Sequence, residues 1–318
     1  MLVYDLSHHL VLEGFSTVES QDSFFDESFL RKLERLAILS RQVKRGQQQG
    51  ERRSPKRGQS VEFADFRPYV AGDDFRRIDW NAYARLEKFF IKLFIEEEDL
   101  LVHMLLDTSS SMNWGDPNKF WYALRAAAAL GFVVLAGLDR LTVTALGSGS
   151  GQAASDPGLY FPPHRGKQQA MSLFSFLQTL TTNGRTDLAP RLRAYATRIT
   201  QPGPLLLFSD LLDPGWADGL QALAARGFEV TILHILAPDE TNPDLDGDLK
   251  LRDCETSTEL EITADDDLLY RYRQGLLAWQ DELHSFCGMR SMHFVPLETS
   301  LPFEELLFNL LQRQGVLK

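Results

Sequence analysis

From Leu100 onward, short unbroken apolar runs alternate with longer stretches whose apolar positions recur at helical spacing. The first kind suits strands buried on both faces, the second suits helices packed by one face. The pattern predicts strands over 100–107, 141–146, 204–210, 228–236 and 292–295, and short strands near 249–252 and 259–262. Between them it predicts helices over 118–138, 167–180, 188–199, 214–226, 266–286 and 302–314. Such alternation implies an α/β fold, a doubly wound, mainly parallel sheet with helices on both faces. No internal repeat is visible.

The residues before Leu100 follow other patterns. Positions 1–27 show no clear period, whereas Leu30, Leu33, Leu36, Ala37, Ile38 and Val43 fall mostly on one face of an amphipathic helix over 29–43. Residues 44–60 carry Lys44, Arg45, Arg52, Arg53, Lys56 and Arg57 against the single acid Glu51. This run reads as a solvated loop or as an arm that docks an anion or a partner. Over 61–99, aromatics alternate with charges of both signs, and Gly72-Asp73-Asp74 marks a turn. Dense mixing of Asp and Arg points to an ion-paired scaffold rather than a catalytic cluster. The chain is thus expected to comprise a lead-in with helix and basic loop (1–60), a segment packed on the main domain (61–99) and the α/β domain itself (100–318).

Composition narrows the function. A net charge of −11, from 33 basic and 44 acidic residues, argues against a general nucleic-acid binder. Cys254 and Cys287 lie far apart without metal-ligand spacing, which suits a reducing compartment. The first residues lack the basic-then-apolar order of a signal peptide, so a cytoplasmic protein without stable membrane insertion is expected. The stretch 120–138 is apolar or small except for Arg125 and approaches the length of a membrane span. Its place between a turn and the next strand makes a buried core helix the simpler account.

The chemistry concentrates at Asp107-Thr108-Ser109-Ser110-Ser111-Met112, where a predicted strand turns into a helix. Open α/β sheets place ligands at this carboxyl edge. One carboxylate and two alternate hydroxyls suit a hard cation such as Mg²⁺, although Asp and Ser also cap helices. Two further loops fall on the same edge, one carrying Thr186 in Gly184-Arg185-Thr186-Asp187 and the other Asp210 after Ser209.

In this order, Asp107, Ser109, Ser111, Thr186 and Asp210 resemble the metal-ion-dependent adhesion site of von Willebrand factor A domains. The resemblance implies Mg²⁺ or Mn²⁺ held directly by Ser109, Ser111 and Thr186, with Asp107 and Asp210 acting through water or directly. It also implies one open position for an acidic group of a partner protein. Further motifs, Arg67-Pro68-Tyr69, Gly72-Asp73-Asp74, Arg76-Arg77-Ile78-Asp79-Trp80, Glu96-Glu97-Glu98 and Asp253-Cys254-Glu255-Thr256, resemble the bacterial domain-of-unknown-function 58 family over residues 30–315. That likeness implies a partnership with a MoxR-type AAA ATPase in assembling or maturing protein complexes.

Other motifs carry less. The Gly147-Ser148-Gly149-Ser150-Gly151 run lacks the Lys-Ser/Thr of a phosphate loop and reads as a flexible surface loop. Residues 244–248 place their glycine too early for an EF-hand, and no G-x-S-x-G nucleophile elbow occurs. Ser109 stands where an aspartyl phosphatase has its second aspartate, so phosphoryl transfer through Asp107 is not expected. The reading is a non-catalytic, metal-dependent interaction module. A metal-assisted hydrolase using Asp187 or Asp213 as base, and a scaffold with a vestigial metal site, are the alternatives.

Overall fold

The structure is a computed structural model that describes residues 61–70, 75, 78–96, 100–147, 159–184, 187–255 and 258–302, with backbone alone for 61–67 and 92–96. The expected helices over 29–43 and 302–314, and the basic loop 44–60, lie outside the described residues. The chain divides into two compact units, Gln49–Asp99 and a larger one made of Met1–Gln48 with Leu100–Lys318.

In the smaller unit, β1 (Val61–Pro68) and β2 (Phe90–Glu96) form an antiparallel pair with a register shift between Phe63 and Asp65. Between them lies α1 (Trp80–Leu86), started by Asp79, whose carboxylate accepts from Asn81 N at 2.9 Å and Ala82 N at 3.2 Å. That is an N-cap satisfying two helix-terminal N–H groups. The helix ends at Glu87, where a left-handed residue (φ 51°) closes the last turn. Asp79 of the Ile-Asp-Trp motif is thus the N-cap of this helix.

The larger unit is a mixed α/β fold around a six-stranded, mostly parallel sheet. In chain order its strands are β3 (Leu101–Asp107), β4 (Arg140–Leu146), β5 (Tyr160–Arg165), β6 (Pro204–Ser209), β7 (Glu229–Leu236) and β10 (His293–Glu298). Their order across the sheet is β10-β7-β6-β3-β4-β5. Every neighbouring pair is parallel except β4 with β5. A short antiparallel pair, β8 (Gly247–Arg252) with β9 (Glu259–Ala264), stands apart from this sheet.

All residues of β3 are buried, because both of its faces are covered. Val102, Met104 and Leu106 join one core, with α2 (Lys119–Ala136) and α3 (Ala170–Gln178). Leu105 points into the other, with α4 (Leu188–Arg198), α5 (Trp216–Ala225) and α7 (Asp266–Gly288). Each fully buried Met or Leu here contributes roughly 2 kcal/mol of apolar transfer free energy. A short helix, α6 (Pro238–Thr241), follows β7.

Helix α2 explains the ambiguous apolar stretch. It is long and apolar enough to span a membrane, yet 89% of that window is buried inside the protein. Asn118 starts it by accepting from Trp121 N at 3.2 Å. Two elements depart from the expected pattern. Residues 160–165 form a strand, although Pro162-Pro163 argues against one; it lies at the sheet's outer edge, where missing N–H donors are tolerated. The helix expected over 167–180 begins as a 3₁₀ turn (Lys167–Gln169) and becomes α-helical at Ala170.

Candidate metal site

Strands β3 and β6 are parallel neighbours, with Leu106 opposite Phe208, so Asp107 and Ser209-Asp210 leave the same sheet edge side by side. Ser209 Oγ donates to Asp107 Oδ2 at 2.6 Å, while Ser109 N donates to Asp107 Oδ1 at 3.0 Å. Asp107 thereby ties the 108–112 loop through Oδ1 and the end of β6 through Oδ2. Within that loop, Ser109 Oγ and Ser111 Oγ lie 2.8 Å apart, both buried. Residues 110–112 form a 3₁₀ turn that starts from Ser109.

The third loop is brought to the same place. Ser110 N donates to Gly184 O and Asn183 N to Thr108 O, each at 2.9 Å, so the segment leading to Thr186 is stitched to the serine loop. Thr186 itself lies outside the described residues. Asp107, Ser109, Ser111 and Asp210 are thus gathered, all buried, at the carboxyl edge of the sheet.

Two residues that motif reading passed over are central. Lys119, the first residue of α2, is fully buried, and its ammonium meets Asp210 Oδ2 at 2.8 Å and Glu240 Oε1 at 2.5 Å. Burial alone would lower the Lys119 pKa, but the two carboxylates outweigh it and hold the ammonium charged. Glu240 is fixed in turn: its Oε2 accepts from Ala237 N at 2.7 Å, and its backbone carbonyl accepts from Tyr272 OH at 2.7 Å. The one sequence clue to Lys119 is a lone cation at the head of an apolar helix. Glu240 gives no such clue.

His234, opposite Ser209 on β7, supports Asp210 from behind. Its Nε2–H donates to the Asp210 carbonyl at 3.0 Å, and burial pushes its pKa down to about 4. Leu211 follows in a left-handed conformation (φ 55°), its N–H held by Ser209 Oγ at 2.9 Å. A buried leucine in that region is mildly strained, and such strain is retained where neighbours over-determine a loop. At Gly147, the first residue of the glycine-rich run, a Cβ would lie 1.9 Å from Thr108 Oγ1, while the rest of that run, 148–151, lies outside the described residues.

The donors described suit a hard divalent ion. Neighbouring ligands about 2.1 Å from Mg²⁺ in an octahedron lie about 3 Å apart, close to the Ser109–Ser111 oxygen separation of 2.8 Å. Burial, and then the nearby Asp210 carboxylate, push the Asp107 carboxyl up to about 6, against the hydrogen bonds from Ser209 and Ser109. Crowded carboxylates of this kind are relieved by a cation. Among the described residues no cluster of three or more His, Cys, Asp or Glu is arranged for a metal, so the candidate rests on mixed hydroxyl and carboxylate donors. The thiol of Cys254 is pushed up to about 12, by burial first and then by Glu255 and Asp253, and is no thiolate nucleophile at neutral pH. Asp213 is occupied in a turn, its Oδ1 accepting from Gly215 N at 2.6 Å.

Residues 65–280 match the family described as "Protein of unknown function DUF58". The chain belongs to this DUF58 family. The match is narrower than the 30–315 span of the sequence resemblance, yet it contains the whole candidate site. Uncharacterized protein Rv1480 of Mycobacterium tuberculosis and uncharacterized protein Mb1516 of Mycobacterium bovis are each 29% identical to the chain over 215 residues, 65% of the chain and 65% of each relative. The similarity therefore spans somewhat less than two thirds of these relatives' length. Two solved structures are similar at 14% identity: BatB from Bacteroides thetaiotaomicron (TM-score 0.39, 67% of this chain, 96% of that one) and an aerotolerance-related membrane protein from Bacteroides fragilis (TM-score 0.41, 68% and 100%).

Proposed function

We propose that this DUF58 protein is a non-catalytic, metal-dependent protein-interaction module with a von Willebrand factor A-like site. The observation that carries the reading is the pair of buried hydroxyls, Ser109 and Ser111, facing each other at 2.8 Å beside Asp107. Ser109, Ser111 and Thr186 would hold Mg²⁺ or Mn²⁺, with Asp107 and Asp210 supplying negative charge. When bound, the ion offers an open position to an acidic side chain of a partner protein. The chain's own part is to hold the hydroxyls: Asp107 braces the loop through Ser109 N and Ser209, and Gly184 O anchors Ser110. A MoxR-type AAA ATPase is the proposed partner, in assembling or maturing protein complexes.

Calorimetric titration with Mg²⁺ and Mn²⁺ tests the site. Binding is expected in the parent protein and at least about tenfold weaker binding in Asp107→Ala and Thr186→Ala, the loss accompanying removal of one charged or direct oxygen ligand. No heat in the parent would sink the metal reading. Capture of a MoxR-type ATPase that chelator abolishes supports the interaction role, whereas chelator-insensitive capture separates the partner from the metal.

A further inference from the structure

Lys119 presents a competition that the metal reading leaves unaddressed. Its ammonium already occupies Asp210, one of the acids proposed to serve the ion, at 2.8 Å and out of contact with water. A buried ammonium cannot simply be released, because an uncompensated charge in the interior is strongly unfavourable. Here a second acceptor is ready: Glu240 meets the same nitrogen at 2.5 Å. Glu240 is pinned by Ala237 N, and the backbone of its short helix by Tyr272 OH, so it can keep the ammonium without moving. Lys119 also follows the serine loop closely in sequence, its N–H bonded to Trp114 O at 2.9 Å. The competing cation is thus mounted on the segment that carries the hydroxyl donors.

Resting on that metal reading, we propose that Lys119 is a tethered competitor for the ion at Asp210, and that Glu240 is the acid that retains the ammonium when the ion claims Asp210. The pair sets how tightly the site holds its metal. Strengthening the hold of Glu240 on the ammonium favours the ion; weakening it returns the ammonium to Asp210 and disfavours the ion. Lys119 and Glu240 are positioning residues and not ligands. The same ammonium explains how buried acids persist at this edge in metal-free protein.

The test is Mn²⁺ and Mg²⁺ titration of the full chain by calorimetry, with Mn²⁺ paramagnetic resonance as a second readout. Glu240→Gln leaves the ammonium with Asp210 alone and is expected to weaken binding at least about tenfold, a scale set by a unit charge acting on a divalent ion a few ångströms away. Lys119→Met would strand two buried carboxylates and unfold readily, so the informative variant is Lys119→Met combined with Glu240→Gln. It removes one charge of each sign, keeps the net charge of the cluster, and takes the ammonium away from Asp210. At least about tenfold tighter binding is expected there, whereas a mere effect of net charge leaves affinity unchanged. Lys250→Met, on the exposed β8, is the control and stays within about twofold.

Equal affinity in the parent and the double variant overturns the competition while leaving the metal reading intact. A parent that binds no metal beside a double variant that does supports the competition and overturns the metal reading for the native protein. Silence in every variant overturns both.

Discussion

His103 lies mid-strand in β3, fully buried, between the Tyr195 hydroxyl at 2.7 Å and the Gln201 carbonyl at 3.1 Å. A carbonyl only accepts, so Nε2 carries the proton and Nδ1 accepts from Tyr195. Burial holds the imidazole neutral, its pKa lowered to about 4 despite the Gln201 carbonyl, which favours the charged form. The unfolded chain takes up this proton near its ordinary pKa of 6.5, so the folded state loses stability as pH falls from about 6.5 to about 4. The loss assignable to His103 is up to about 3 kcal/mol. Denaturant unfolding of the parent and of His103→Gln at pH 7 and pH 4.5 is expected to show a smaller acid loss in the variant. Equal losses would remove His103 as a cause. At this scale the sequence was partly legible: Asp107, Ser109, Ser111 and Asp210 stood out by type and spacing, and all four are gathered at one edge. Lys119 and Glu240 did not, because an ion pair spanning 121 positions has no local pattern.

Among elements, α2 was read closely from its apolar run, and its end shows what such patterns miss. The chain leaves the helix through Gly137 and then Leu138, an exposed leucine in the left-handed region (φ 67°). Glycine adopts that conformation without the Cβ clash, which costs other residues roughly 1 kcal/mol. Leu138→Gly is therefore expected to raise stability by about 1 kcal/mol, seen as a higher urea midpoint with an unchanged slope. A lower midpoint would show that the leucine packs usefully despite its exposure. Strand β5 escaped prediction for the opposite reason: Pro162 and Pro163 break the pattern of a central strand, and only its position at the sheet edge makes them acceptable. The pairing of β1 with β2 was equally hidden, since alternating aromatics and charges serve a hairpin and a loop alike.

Across the larger unit, stability should be graded from the inside of the sheet outward. Strands β3, β6 and β7 are almost wholly buried and flanked on both sides, whereas β8 and β9 are largely exposed. Hydrogen exchange is expected to be slowest in β3, β6 and β7 and markedly faster in β8–β9, because local opening costs less where few apolar contacts hold the backbone. Uniform exchange would contradict two cores meeting at β3. Local rules were enough to place most strands and helices of this unit and to mark the oxygen-rich turn, since hydrophobic period and turn chemistry act over a few residues. The edge partner of β4, the apposition of β3 with β6, and the burial of Lys119 between Asp210 and Glu240 came from long-range packing. A buried charge takes its counter-charge from whatever the fold brings beside it, and that neighbour is set by strand order rather than by sequence distance.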